Sequence, residues 1–152
     1  MKTTRNLSLI LSFLLAMVLV SCDKNEDSNS QPQAENNVKS GNWKITKMID
    51  SGDDETSDFN GYTFTFQNGG IISATNGVKN YAGTWQVSDS NSDDDSPEDL
   101  HLIISFSVSD DDDFDDLSED WNYISNSSSK IELIHVSGGN GGTDYLTFEK
   151  IN

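Results

Sequence analysis

Carboxylates are the reactive groups that this chain gathers in number. Asp110, Asp111, Asp112, Asp113, Asp115, Asp116, Glu119 and Asp120 place eight acidic residues within eleven positions. Asp53, Asp54, Glu55 and Asp58 form a second group, and Asp93, Asp94, Asp95, Glu98 and Asp99 a third. Like charges at this density are costly to bring together unless water solvates them or a cation sits among them. The chemistry on offer is coordination of a hard cation such as calcium, with Asp110, Asp111, Asp112, Asp113, Asp115 and Asp116 as candidate ligands, or docking of a basic protein. The plainer role is solubility, the usual use of an acidic run. Asp89-x-Asn91-x-Asp93 opens like an EF-hand loop, but Asp94 stands where the turn glycine belongs and Leu100 where the glutamate belongs.

Little else could catalyse a reaction. His101 and His135 are the two histidines, each on an expected strand among apolar residues, the setting of a strand histidine that faces solvent. No Gly-x-Ser-x-Gly, His-Glu-x-x-His or Cys-x-x-Cys occurs, so neither a serine nucleophile nor a zinc site is encoded. The run Ser137-Gly138-Gly139-Asn140-Gly141-Gly142 lacks the lysine and following helix of a phosphate loop and reads as a hairpin loop. We expect no enzyme, no catalytic residue and no cofactor beyond calcium.

The single cysteine has its own chemistry. Lys2 and Arg5 precede an apolar stretch, Leu7 to Val20, too short to span a bilayer comfortably and placed as a secretory signal is placed. It ends in Leu19-Val20-Ser21-Cys22, which resembles the lipobox of bacterial lipoproteins. That resemblance implies a signal peptide over residues 1–21, cleavage before Cys22, and acylation of its thiol. Several acyl chains on one residue make a stable anchor. A disulfide within the chain would need a second cysteine, which the sequence lacks. Cleavage removes Lys2 and Arg5, leaving seven basic residues against 26 acidic ones, a net charge of −19. Such a surface repels nucleic acid and favours cations or basic partners. Asp23-Lys24-Asn25-Glu26-Asp27 resembles the charged signal that sends Bacteroidota-type lipoproteins to the outer face of the outer membrane. In other Gram-negative groups, Asp23 beside the lipid favours retention at the inner membrane. The expected location is the cell envelope, lipid-anchored, at the outer membrane and surface-exposed.

The elements that must hold these groups follow from the pattern of apolar residues. Residues 22–40 are rich in Asn, Ser, Gln and Asp and read as a disordered, lipidated tether reaching on the order of 20–25 Å. From Gly41 the period becomes two. Strands are expected at Trp43–Met48, Tyr62–Phe66, Ile71–Thr75, Val78–Val87, Leu100–Val108, Trp121–Ser125, Lys130–Val136 and Tyr145–Ile151. Asn68-Gly69 and Asn76-Gly77 supply tight turns. A short helical turn fits only within Leu117 to Tyr123. About eight short strands joined by short links predict an all-β, antiparallel up-and-down meander closed into a small barrel over residues 41–152.

Gly41-Asn42-Trp43 at the first strand, echoed by Gly83-Thr84-Trp85, is similar to the Gly-x-Trp opening of lipocalins. The chain resembles the short lipocalin-like domains of Bacteroidota lipoproteins. The resemblance implies that Trp43 packs across the closed base of the barrel, that Gly41 permits a close backbone approach there, and that an apolar ligand or a protein is bound. The last strand carries Lys150 and no arginine to cap that tryptophan.

In a meander, alternate loops share an end. The Asp53–Asp58 and Asp110–Asp120 loops should therefore meet at one rim, with the Asn76-Gly77 turn and the 138–142 loop, away from the tether and membrane. The Asp93–Asp99 loop falls at the other end. Tyr62, Phe64, Phe66, Tyr81, Trp85 and Phe106 should point inward, where they line an apolar ligand cavity or fill the barrel solidly.

Overall fold

The computed structural model of the chain describes residues 30–90, 100–138 and 142–152. Cys22, its signal segment and the Asp93–Asp99 loop lie outside the described residues.

Alternating apolar and polar residues place one face of each strand inward, and the strands close on each other. β1 (Asn42–Asp50), β3 (Thr63–Gln67), β4 (Ile71–Thr75), β5 (Asn80–Asp89), β6 (Leu100–Phe106), β7 (Asp120–Asn126), β8 (Lys130–Val136) and β9 (Thr143–Lys150) pair antiparallel in chain order. β1 also pairs with β9, from Trp43 opposite Lys150 to Ile49 opposite Tyr145, and this seam closes an eight-stranded barrel. The expected all-β meander is what forms. A ninth piece, β2 (Asp53–Asp54), adds two residues to the end of β1. A bulge between Ile45 and Lys47 shifts the alternation of β1, so that Trp43, Ile45 and Met48 are buried together.

The turns follow local chemistry. Gly69 and Gly70 both take positive φ (85° and 76°) and reverse the chain between β3 and β4. At the next turn the Asn76 side chain accepts hydrogen bonds from the backbone N–H groups of Val78 and Lys79. Gly83 faces β6, opposite Phe106. A Cβ there would fall 2.2 Å from the Ser105 carbonyl oxygen. The comparable role expected of Gly41 is not the one it has. A Cβ at Gly41 would meet the Lys150 side chain at 2.7 Å and no backbone atom within 4 Å among its three nearest neighbours.

Two expectations about secondary structure are corrected. Residues 31–38, read as part of the tether, form helix α1 (Gln31–Val38), with Ala34 and Val38 fully buried. Pro32 sits in the first turn, where a missing N–H costs nothing, and the i, i+4 pair Ala34/Val38 makes one apolar face. The helix lies across the barrel's N-terminal end. Gln31 donates to the Val87 carbonyl, and Asn37 bonds Asn126. Leu117 to Tyr123 contains no helix. Among the described residues, the helical turn of that kind is at Thr56–Phe59, and it buries Phe59.

All three tryptophans are buried, and each indole N–H finds a backbone carbonyl: Trp43 on Val38 (2.8 Å), Trp85 on Gln67 (3.1 Å) and Trp121 on Leu117 (3.2 Å). A buried indole needs such an acceptor. Trp43 and Trp121 thereby fasten the two segments that close the barrel: α1 at one end, the loop between β6 and β7 at the other. Trp43 does sit at the base, but α1 caps it, while the Lys150 ammonium donates to Ser40.

Candidate functional site

The two described acidic loops meet at the rim opposite α1, as strand parity requires. The larger, between β6 and β7, is not a loose run of charge. Three successive turns shape it, through Asp112 N to Ser109 O, Asp115 N to Asp112 O and Ser118 N to Asp115 O, each 2.8–2.9 Å. The Ser118 hydroxyl accepts from the Phe106 N–H at 2.9 Å and donates to the Phe114 carbonyl. These turns drive Phe114 and Leu117 down into the barrel, where both are buried, with Asp115 and Asp116 between them half-buried.

Phe114 is the central contact. Its ring stacks on Tyr81 (centroids 3.8 Å, 12° between planes) and meets Phe106 at 5.0 Å, Tyr62 at 5.1 Å, Phe59 at 5.5 Å and Phe64 at 5.9 Å. Deeper in, Phe148 meets Phe64 at 5.4 Å and Phe66 at 5.5 Å, and Phe66 meets Trp85 at 5.6 Å. All six aromatics expected inward are there, with Tyr81 only partly buried. They touch one another through Phe114 and Phe148, so the solidly filled alternative describes them. An apolar ligand at this place would have to displace a ring. The described cleft of about 260 Å³ lies elsewhere, between α1 and the β3–β4 turn. Its walls are Glu35, Lys39, Asn68, Gly70, Gln86 and the edge of Trp85, the one residue of the six that reaches it.

Acidic side chains near the rim divide by function. Asp112 accepts from the Tyr81 hydroxyl (3.1 Å) and from the Phe114 N–H (3.1 Å), so it braces the loop. Desolvation, and then the Asp112 carboxylate, push the Tyr81 phenol up to about 12. Ser109 holds Asp111 below the usual carboxylate range. Of the six aspartates named as calcium ligands, Asp116 alone enters a tight group. Its carboxylate oxygen lies within 4.8 Å of those of Asp50 and Glu55, from two other segments. Burial, followed by repulsion from Asp116 and Asp50, pushes Glu55 up to about 7. Burial and then Asp50 raise Asp116; burial and then Asp144 raise Asp50. Offering one oxygen each, the three carboxylates would supply three of the six to eight that calcium takes, the rest coming from their second oxygens, backbone or water.

The histidines differ from each other. His101 points outward and pairs with Asp120 at 2.8 Å. His135, expected to face solvent, has the inward parity of β8 at its rim end, against Trp121. Its Nδ1 lies 3.4 Å from Glu119 and 3.5 Å from Asp144 but hydrogen-bonds neither. Asp144 is instead taken by the Ser51 N–H at 2.7 Å, tying the β8–β9 end to the β1–β2 turn.

Phe114 was missed in the sequence because it is surrounded by charge. Its signal was its spacing: Phe114 and Leu117, three apart, are the apolar residues of the Asp110–Asp120 run.

The fold thus defines a small closed antiparallel β-barrel with both ends covered. No protein-family model and no curated protein matches this chain. Among solved structures it is similar to a DUF4847 family protein from Bacteroides vulgatus ATCC 8482, at 15% identity and a TM-score of 0.48, covering 75% of this chain and 94% of that one. No helix among the described residues is long and apolar enough to cross a membrane.

Proposed function

We propose that the chain is a lipid-anchored, non-catalytic interaction module of the cell envelope, and that its acidic rim docks a cationic protein partner. Acylated Cys22 would hold it to the bilayer, and the end bearing α1 would face the membrane. The observation that carries the docking reading is the seating of Phe114 and Leu117. Their burial keeps the intervening carboxylates in one arrangement, so a partner does not bear the cost of ordering a floppy loop. Complementary charge then speeds encounter and fixes orientation. Calorimetric titration with a lysine-rich peptide tests this. Binding should weaken steeply with salt and with Asp113→Asn/Asp115→Asn, but not with Glu132→Gln on β8. Equal losses from all three substitutions would contradict a rim site. Replacing Cys22 by serine tests the anchor: incorporation of labelled palmitate should vanish, and persistence would refute acylation there.

A second reading has one specific support. Phe114 is the central ring of the aromatic cluster and sits on a loop, so its removal would open room for a small apolar ligand. Titration of the intact protein with fatty acids, followed by tryptophan emission, tests that reading; unchanged emission throughout would remove it.

A further inference from the structure

At the end of the barrel away from the rim, helix α1 spends one face on the core and leaves the adjoining face free of packing duty. Ala34 and Val38 are buried, while Glu35 and Lys39, one turn apart, stay partly exposed. These two side chains form one wall of the cleft of about 260 Å³. The Asn68-Gly69-Gly70 turn forms the facing wall, and Gln86, Val87 and the edge of Trp85 line it along β5. Both walls are pinned. The Trp85 backbone N–H donates to the Gly70 carbonyl (2.9 Å), and its indole N–H donates to the Gln67 carbonyl (3.1 Å). Gln31 ties α1 to the Val87 carbonyl (3.0 Å). A ligand therefore meets a shape that is already set.

The lining defines what fits. Glu35 accepts hydrogen bonds, Lys39 donates them, and the carboxamides of Asn68 and Gln86 do both. Neither carboxamide is engaged by another group among the described residues. The Glu35–Lys39 pair is long, at 3.7 Å, and open to water, so exchanging it for ligand contacts costs little. Its two charges cancel, which leaves the cleft without a net charge of its own. The Trp85 indole N–H is already taken, so its edge offers an apolar contact. A volume below the roughly 300–1,000 Å³ of drug-sized pockets is too small for a lipid. Hydroxyl groups that both donate and accept, carried on a ring with an apolar C–H face, match this set of donors, acceptors and carbon. We propose that the cleft is a binding site for a single neutral sugar unit. It lies at the opposite end of the barrel from the rim, and the proposal is independent of docking there.

Nuclear magnetic resonance of the intact, isotope-labelled protein tests this, because the three indole N–H signals report on three separate places. The probes are the methyl glycosides of glucose, galactose, mannose and N-acetylglucosamine, with glycerol and glycine as controls. The expected result is a saturable shift of the Trp85 signal, in the millimolar range, with at least one glycoside, while the Trp43 and Trp121 signals stay in place. Binding should weaken severalfold in Gln86→Ala and in Lys39→Gln, whose side chains are not buried and whose fold circular dichroism confirms. Should either variant fail to fold, Glu35→Gln replaces it. No shift with any of the four glycosides overturns the proposal, as does an equal shift with glycerol or an affinity unchanged in both cleft variants. A response to glycine alone also overturns it and makes the cleft a site for a zwitterion. Gln86→Ala removes no charge and should leave binding of the lysine-rich peptide unchanged, so failure here and failure of the docking reading are told apart.

Discussion

The phenyl ring of Phe114 lies flat on the phenol of Tyr81, 3.8 Å between centroids, while the Tyr81 hydroxyl donates to Asp112, two residues before that ring. One strand residue thus grips the acidic loop by both its apolar and its charged parts. The pairing explains how a segment with six aspartates in seven positions keeps a fixed shape. Asp110, Asp111 and Asp113 stay exposed to water, and buried Phe114 and Leu117 supply the burial that the loop's repulsion opposes.

Truncation of that ring should therefore cost what a core residue costs. Phe114→Ala is expected to destabilise the barrel by about 3–5 kcal/mol, read from urea denaturation. Asp113→Asn beside it should stay within about 0.5 kcal/mol. Equal, small effects for the two would place the loop outside the core.

The two Gly-x-Trp glycines should separate. Gly83→Ala drives a methyl group into the Ser105 carbonyl and must push β5 from β6, so loss of cooperative folding or a large drop in the thermal midpoint is expected. Gly41→Ala displaces only the flexible end of Lys150 and should shift the midpoint by no more than a degree or two, on the order of a surface substitution. The reverse order would contradict the close approach assigned to Gly83.

Helix α1 should behave as part of the domain. A chain starting at Gly41 loses the Val38 carbonyl that accepts the Trp43 N–H and uncovers the face packed by Ala34 and Val38. It should be less stable than a chain starting at Ser30, by at least the roughly 1–3 kcal/mol of an unsatisfied buried donor, with its tryptophan emission shifted to the red. Identical melts would return residues 30–40 to the tether.

Stability should depend on pH in a direction opposite to that of a salt-bridged protein. Glu55 is raised in the fold, to about 7 from 4.5, so the native state holds its proton more tightly than the unfolded chain. The stability this supplies is complete below about pH 4.5 and is lost as pH rises through about 7. Asp50 and Asp116, raised as well, act in the same sense. Urea midpoints of wild type and Glu55→Gln should diverge across neutrality, with the variant the more stable above it. Parallel curves would contradict the assignment.

Much of the architecture was legible because its physics is local. Alternating residues such as Leu100, Leu102, Ile104 and Phe106 fix a strand and its inward face, and hairpin links fix the order of neighbours. Parity then brought the Glu55 and Asp116 loops to one rim without further information. What was not legible depends on partners distant in sequence. Gln31–Val38 reads as linker until the barrel end it covers exists, although Pro32 and the Ala34/Val38 spacing were signals. Phe114 reads as a stray ring in an acidic run until Tyr81, 33 positions earlier, is placed beneath it. The carboxyl group of Asp50, Glu55 and Asp116 joins three segments, and only Asp116 of it belongs to the local aspartate run.

The central claim is that the rim binds through its geometry as well as its charge. Calorimetric titration of wild type and Phe114→Ala with the same lysine-rich peptide, at one pH and salt concentration where both are folded, separates the two, since the substitution removes no charge. The account predicts binding about tenfold weaker for the variant, the equivalent of losing roughly 1.4 kcal/mol of preorganisation. Equal affinity would mean that the peptide reads net charge alone, and that the seated loop is not a binding site.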